Sequence, residues 1–154
     1  MNPFMNEAIE EARRGMLAGE GGPFGAIILR EGAVVARAHN EVLATNDPTA
    51  HAELLAIRRA SALLGRFDLS DCEIYSSCEP CPMCFAAIHW AKIGLLYYAC
   101  TRFDAARIGF DDEYIYRVIR GEAERQQVSA AQTDRAEGLR LFAEFDRLEG
   151  KRLY

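Results

Sequence analysis

Four residues in two short segments carry types and spacings that could do chemistry together. They are His51 and Glu53 in Pro48-Thr49-Ala50-His51-Ala52-Glu53, and Cys81 and Cys84 in Pro80-Cys81-Pro82-Met83-Cys84. A Cys-x-x-Cys pair at a helix start sets its two sulfurs about 60° apart around the axis, so both can face one ion. His51, in the first turn of another helix, supplies a third donor. Three protein donors leave one position of a zinc ion for water, which is the pattern of a catalytic site and not of a structural one. Both groups sit at helix N-termini, where the macrodipole favours thiolate over thiol. Glu53 lies two residues past His51 and points to another side of an ideal helix. It is a poor fourth ligand, yet it reaches a water bound across the site and suits a proton shuttle. Zinc there would lower the pKa of its water toward neutrality and supply hydroxide. Attack on an amidine-like ring carbon, with Glu53 passing protons to the ring nitrogen and the departing ammonia, is the expected chemistry.

The chain has five cysteines: Cys72, Cys78, Cys81, Cys84 and Cys100. An odd, clustered set is a poor disulfide framework, and in a reducing compartment it points to metal or catalysis. The plainer alternatives are a structural zinc pair, core thiols, a redox pair and an iron–sulfur cluster. Pro82-Met83 between the cysteines does not favour the redox reading. The fourth cysteine of the usual iron–sulfur run is missing, and a plain helix follows Cys84. Cys72, Cys78 and Cys100 read as strand-end or core residues. His39 beside Asn40 is at best a neighbour of the site, and His89 on an apolar helix reads as packed or capping.

The elements that must position these groups follow from periodicity. Apolar residues at Met5, Ala8, Ile9, Ala12 and Met16 predict an amphipathic helix over 5–17, ended by Gly19 to Gly22. Phe24 to Leu29 and Ala33 to Ala38, separated by Arg30-Glu31-Gly32, predict a β-hairpin. A helix is expected over 50–64 with Asp47 or Thr49 as its cap, then a strand over 72–76 and a helix over 81–93 opened by prolines 80 and 82. A strand over 94–100 completes the order α-β-β-α-β-α-β. The strand–helix–strand unit places 72–76 and 95–100 side by side and parallel. The expectation is a three-layer α/β/α domain with a mixed central sheet and helices on both faces. Beyond Thr101 a loop, a helix near 111–120, a polar stretch and a charged helix from about 137 to 149 are expected. Residues 1–154 read as a single domain, with 121–154 as a C-terminal arm.

At 154 residues the chain is large enough to bury a core without staples. Its net charge of -5 argues against a large nucleic-acid partner and favours a small, weakly charged substrate. No apolar run reaches the roughly 18 residues of a membrane span. Met1 to Gly19 is acidic and helical in pattern, unlike a targeting peptide, so the expected location is the cytoplasm.

His51-x-Glu53 followed by Pro80-Cys81-x-x-Cys84 is the signature of zinc nucleobase deaminases. On these residues the chain resembles the cytidine deaminase-like superfamily. It is most similar to the branch of bacterial guanine deaminases, through Gly21-Gly22-Pro23-Phe24-Gly25-Ala26, Asn46 to Glu53, Asp104-Ala105-Ala106, Gly109-Phe110-Asp111-Asp112 leading to Ile115-Tyr116, and the terminal Tyr154. The resemblance covers nearly the whole chain and weakens after about Arg120. It implies that His51, Cys81 and Cys84 bind zinc and that Glu53 shuttles protons. It implies further that Phe24 and Asn40 stack and hold the purine, that Ala52 offers backbone groups near the reacting water, and that Asp112 contacts the purine edge. A homodimer with exchanged C-terminal arms is implied too, in which Tyr154 closes the partner's site.

One departure stands out. Where such enzymes carry a substrate-contacting glutamate in the arm, counting from Gln127-Val128 finds Gln132, with Asp134 or Glu137 as substitutes only in a shifted register. An amide both donates and accepts, so this change bears on substrate preference. The expected reaction is hydrolysis of guanine to xanthine and ammonia. The alternatives are another small amino-heterocycle (guanosine, cytosine, cytidine or ammeline), a tRNA wobble adenosine, and a non-enzymatic zinc domain. The arm alternates acids and bases (Glu122, Glu124, Arg125, Asp134, Arg135, Glu137), which does not make the basic surface an anticodon needs.

Overall fold

The computed structural model describes residues 2–124 and 127–154; Met1 and Arg125, named above, and Gln126 lie outside the described residues. Helix α1 (Pro3–Leu17) begins at Asn2, whose side chain accepts from the Phe4 and Met5 amides, with Pro3 at the first helical position. Strands β1 (Gly25–Arg30) and β2 (Ala33–His39) form the expected hairpin. Its turn residues Glu31 and Gly32 both take positive φ, 52° and 77°, the conformation that matches the twist of the flanking strands.

Helices α2 (Val42–Thr45) and α3 (Ala52–Leu64), strand β3 (Cys72–Cys78), helix α4 (Pro82–Trp90) and strand β4 (Leu95–Cys100) follow. The sheet order is β2-β1-β3-β4, with β1 antiparallel to both neighbours and β3 parallel to β4. The parallel pair is the one expected from the strand–helix–strand unit. β1 lies in the middle, and its alternate residues feed two cores. Ala26 and Ile28 meet Ala52, Ala56 and Ala60 of α3 and Ile88 of α4, while Ile27 and Leu29 meet Ala8 of α1 and Tyr75. Helices therefore cover both faces, giving the three layers. Alanines on α3 let its backbone lie close to the sheet.

The boundaries differ from the sequence expectation in informative ways. α3 starts at Ala52 because Asp47 closes a turn on the Thr49 amide and hydroxyl, so Asp47 does not cap the helix and His51 takes the cap position. α4 stops at Trp90, short of 93, because Lys92 takes positive φ to turn the chain into β4. β3 runs on to Cys78. The segment after Thr101, expected as a loop, opens with helix α5 (Arg102–Arg107). Thr101 and Asp104 form a reciprocal capping box there, a Thr-x-x-Asp signal present in the sequence. Helices α6 (Glu113–Ile119) and α7 (Arg135–Arg147) complete the chain, and α7 has no buried residue. Among the described residues no helix is long and apolar enough to cross a membrane.

Candidate active site

Helices α3 and α4 begin at one place. His51 holds the cap position of α3 in extended backbone, with no side-chain capping bond to occupy its ring. Cys81 holds the cap position of α4, Pro82 follows as its first residue, and Cys84 sits one turn in. The two helix starts bring His51 Nδ1 to 3.5 Å from Cys81 Sγ and 3.6 Å from Cys84 Sγ. All three donors lie within 4.8 Å of one another. A tetrahedral zinc with ordinary Zn–S and Zn–N bonds separates such an N,S pair by about 3.6 Å. The donor set and its spacing therefore fit zinc, and the Nδ1 edge of His51 is the one turned to the two sulfurs.

The three donor groups perturb one another's protonation. The Cys81 thiol is pulled down to about 4, first by its contact with Cys84 and then by His51, while that same contact and burial push Cys84 up. The contact with Cys81 raises His51. Cys78 is pushed up to about 12, chiefly by burial, and among the described residues it is not part of the donor cluster.

Glu53 is in the first turn of α3 and only 6% exposed. It accepts a 3.0 Å hydrogen bond from Ser76 Oγ on β3. Burial raises its pKa above the usual carboxylate range. Among the described residues Glu53 is not a member of the donor cluster, which leaves the three-donor arrangement with an open position.

A cavity of about 690 Å³ opens over these groups. His51, Glu53 and Cys81 line it together with Phe24, Asn40 and Asp112. Phe24 meets Phe110 edge to face, with centroids 4.9 Å apart at 89°. Asn40 Oδ1 accepts from the Gly22 and Val42 amides at 3.3 and 3.2 Å. Its oxygen is thereby committed to the backbone, and its amide nitrogen is the polar group left for a ligand. Burial raises Asp112 above its ordinary value, helped by the charge of Cys81.

Not every expected residue is gathered here. Ala52 is fully buried at the start of α3, between His51 and Glu53. Tyr154 lies against Phe67 and Trp90, with centroids 6.3 and 5.9 Å away, beyond the far ends of α3 and α4. Thirteen helical residues span about 20 Å, so Tyr154 is roughly a helix length from its own chain's cavity. Gln132 is exposed in the arm and does not line the cavity; Asp134 occupies the cap position of α7 without a side-chain capping bond, and Glu137 pairs with Arg140. His89 packs on Phe85, and His39 sits between Glu11 and Glu20.

Sequence reasoning missed Phe110 and Arg102 as cavity residues and Ser76 as the partner of Glu53. Phe110 had a signal, an aromatic in the Gly-Phe-Asp-Asp block. Arg102 lines the cavity while bracing α6 through Glu113 at 2.8 Å and lying over the Tyr116 ring at 4.3 Å.

Comparison with known proteins gives a consistent result. The cytidine and deoxycytidylate deaminase zinc-binding region matches residues 1–100. The guanine deaminase of Bacillus subtilis is 45% identical over 98% of this chain and 97% of its own length. The crystal structure of that enzyme superposes with a TM-score of 0.94 at 45% identity, covering 100% of this chain and 99% of the other. The tRNA-specific adenosine deaminase of Aquifex aeolicus is 46% identical over 58% of this chain and 59% of its own length.

Proposed function

The chain belongs to the cytidine and deoxycytidylate deaminase family and is a zinc-dependent hydrolase, and on that premise we propose that it converts free guanine and water to xanthine and ammonia. The observation that carries this choice of substrate is the likeness to the Bacillus guanine deaminase, which runs through the C-terminal arm to the end of the chain. Over a comparable length the tRNA-specific adenosine deaminase of Agrobacterium fabrum is 36% identical. The 46% likeness to the Aquifex tRNA deaminase covers only 58% of this chain, so it is identity sustained over the full length that favours guanine. The net charge of -5 is also unsuited to an RNA backbone.

His51, Cys81 and Cys84 would hold the zinc, which supplies the Lewis acidity that makes a water nucleophilic at neutral pH. Glu53 takes the proton from the attacking water and delivers it to the ring nitrogen. It then takes the proton of the added hydroxyl and passes it to the amine, so that the carbonyl forms as the C–N bond breaks and ammonia leaves. Ser76 keeps one carboxylate oxygen of Glu53 in place throughout. Asn40, with its oxygen held by Gly22 and Val42, donates to the base. Guanine offers a carbonyl acceptor at C6, where adenine puts an amine donor. Phe24 provides an apolar ring face, and Asp112 accepts from the N–H edge of the purine. Ala52 places backbone groups beside the reacting water, between the ligand and the shuttle.

The active form in this proposal is a homodimer with exchanged arms. Two features support it: α7 leaves Leu139, Phe142 and Phe145 exposed along one stripe, and Tyr154 stands a helix length from its own cavity. Gln132 would approach a site only from a partner's arm. The reaction is placed in the cytoplasm, where the free thiols stay available to metal.

The test is ammonia release by the zinc-loaded protein from guanine, guanosine, cytosine, cytidine, adenine and ammeline, with an anticodon stem-loop assayed for inosine. Turnover of guanine alone is the expected result. An inert guanine beside an active second compound would keep the zinc chemistry and overturn the substrate. Full zinc occupancy with no turnover of any of them would point to a structural metal.

A further inference from the structure

The fold buries a group of ionisable side chains that the mechanism above does not use. His39, the last residue of β2, is 7% exposed, and Glu11 of α1 is 5% exposed. His39 Nδ1 lies 3.1 Å from a Glu11 carboxylate oxygen, and its Nε2 contacts the carboxylate of Glu20. Arg14 adds a guanidinium to the outer side of Glu11. Buried polar groups are costly unless each is paired, and here both ring nitrogens are. α1 lies directly on the imidazole: a Cβ on Gly15 would come within 2.2 Å of the His39 ring. None of these side chains lines the cavity.

What they join, however, is the cavity wall. Glu20 is followed by Gly21 and Gly22, and His39 by Asn40. The Glu20 backbone oxygen accepts from the Leu43 and Ala44 amides, so the same residue also anchors α2. The Gly22 and Val42 amides then hold Asn40 Oδ1. A Cβ on Gly21 would fall 2.1 Å from that oxygen, so the two segments of wall lie against each other at Gly21 and Asn40.

Resting on the base-deaminase reading, we infer that the His39–Glu20 contact is a positioning device: it clamps the 20–22 segment so that Gly22 and Val42 fix the Asn40 amide, and thereby aims its nitrogen at the bound base. His39 and Glu20 are positioning residues that never touch the substrate. Binding depends on them through Asn40, whereas the metal and Glu53 do not.

Glu20 is the residue to change, because its side chain is 41% exposed and its loss opens no core cavity. In the full-length, zinc-loaded protein, Glu20→Ala is compared with Glu20→Gln, which keeps an oxygen for the ring. Two readouts are taken. The first is hydrogen exchange without substrate: Glu20→Ala should speed exchange of the Gly22 and Val42 amides about tenfold or more, with α3 and α4 unchanged and Glu20→Gln near wild type. The second is steady-state kinetics on whichever base the wild-type protein turns over: KM should rise about tenfold with kcat within about twofold, again restored by Glu20→Gln. Unchanged exchange at Gly22 and Val42 overturns the inference, as does a lower melting temperature with KM unaltered. The exchange measurement needs no substrate, so its outcome is separable from the guanine assignment.

Discussion

Glu53 and Ser76 show how a single side chain acquires a role from its surroundings. A carboxylate in the first turn of a helix is ordinarily solvated and helps the macrodipole. Here the sheet covers it, burial raises its pKa, and the Ser76 hydroxyl fixes one oxygen. Glu53→Gln keeps the shape and an oxygen for Ser76 but removes the proton acceptor. We expect kcat to fall about 10³-fold with zinc content near one per chain, measured by ammonia release and atomic absorption. A variant that loses its zinc or its fold instead would make Glu53 a structural residue. His51, Cys81 and Cys84 were legible because a histidine at one helix start and a Cys-x-x-Cys at another are local patterns. Their mutual spacing of 3.5 to 3.6 Å is the tertiary fact.

Between elements, close backbone approach is what holds the site's scaffold, and glycine marks where it occurs. A Cβ on Gly25 would lie 2.3 Å from the Ala8 carbonyl oxygen and 2.4 Å from the Ala12 amide nitrogen, both backbone atoms of α1 that cannot swing aside. Gly25→Ala should therefore push α1 off β1 and cost about 1–3 kcal/mol of stability in denaturant unfolding. A change below about 0.5 kcal/mol, the range of an ordinary surface substitution, would show that α1 adapts freely. A second element-level effect lies at the opposite end of the fold. Asp68, in the link from α3 to β3, is held at about 2, below its ordinary 3.8, first by the Ser70 hydroxyl and backbone and then by Lys92 just after α4. A carboxyl depressed in the folded state contributes stability above its unfolded pKa, and that contribution is lost as pH falls through the folded value. Asp68→Asn should thus flatten the stability profile between about pH 4 and pH 2 while changing little in its slope above pH 5, followed by thermal melting across pH. An unaltered acid limb would remove Asp68 from the account. The helix boundaries belong to this scale as well. The Thr101-Asp104 capping box was readable, whereas the start of α3 was displaced because Asp47 used its side chain in a turn.

For the whole molecule the open question is what the arm covers. Leu139, Phe142 and Phe145 form a stripe on α7 that this chain leaves in solvent, and such a stripe is the usual mark of a helix that packs on something. In the proposed dimer the something is a second copy. Mixing a Glu53→Gln chain, whose arm is intact, with a chain truncated before residue 121, whose Glu53 is intact, tests it. Neither alone should be active, and the mixture should recover turnover as hybrid dimers of one 17.2 kDa chain and one truncated chain form. No recovery from a mixture shown to contain hybrids would mean that each site is completed by its own chain.

Residue spacing by itself determined the chemistry and the layer plan. The 3.6-residue period places Cys81 and Cys84 on one side of a helix start, and burial of both faces made β1 apolar from Gly25 to Leu29, up to its terminal Arg30. Tertiary structure alone decided which side chains share the cavity. Phe24 and Phe110, Ser76 and Glu53, Gly22 and Asn40 are 86, 23 and 18 residues apart in the chain, and no local period relates them. Their contacts depend on sheet order and on the exact seating of helices on the sheet, which are settled by packing the whole core at once. Asn40 makes the difference plain: its presence was read from the sequence, but which end of its amide is left free beside the cavity was decided by two backbone N–H groups that the fold brings to it.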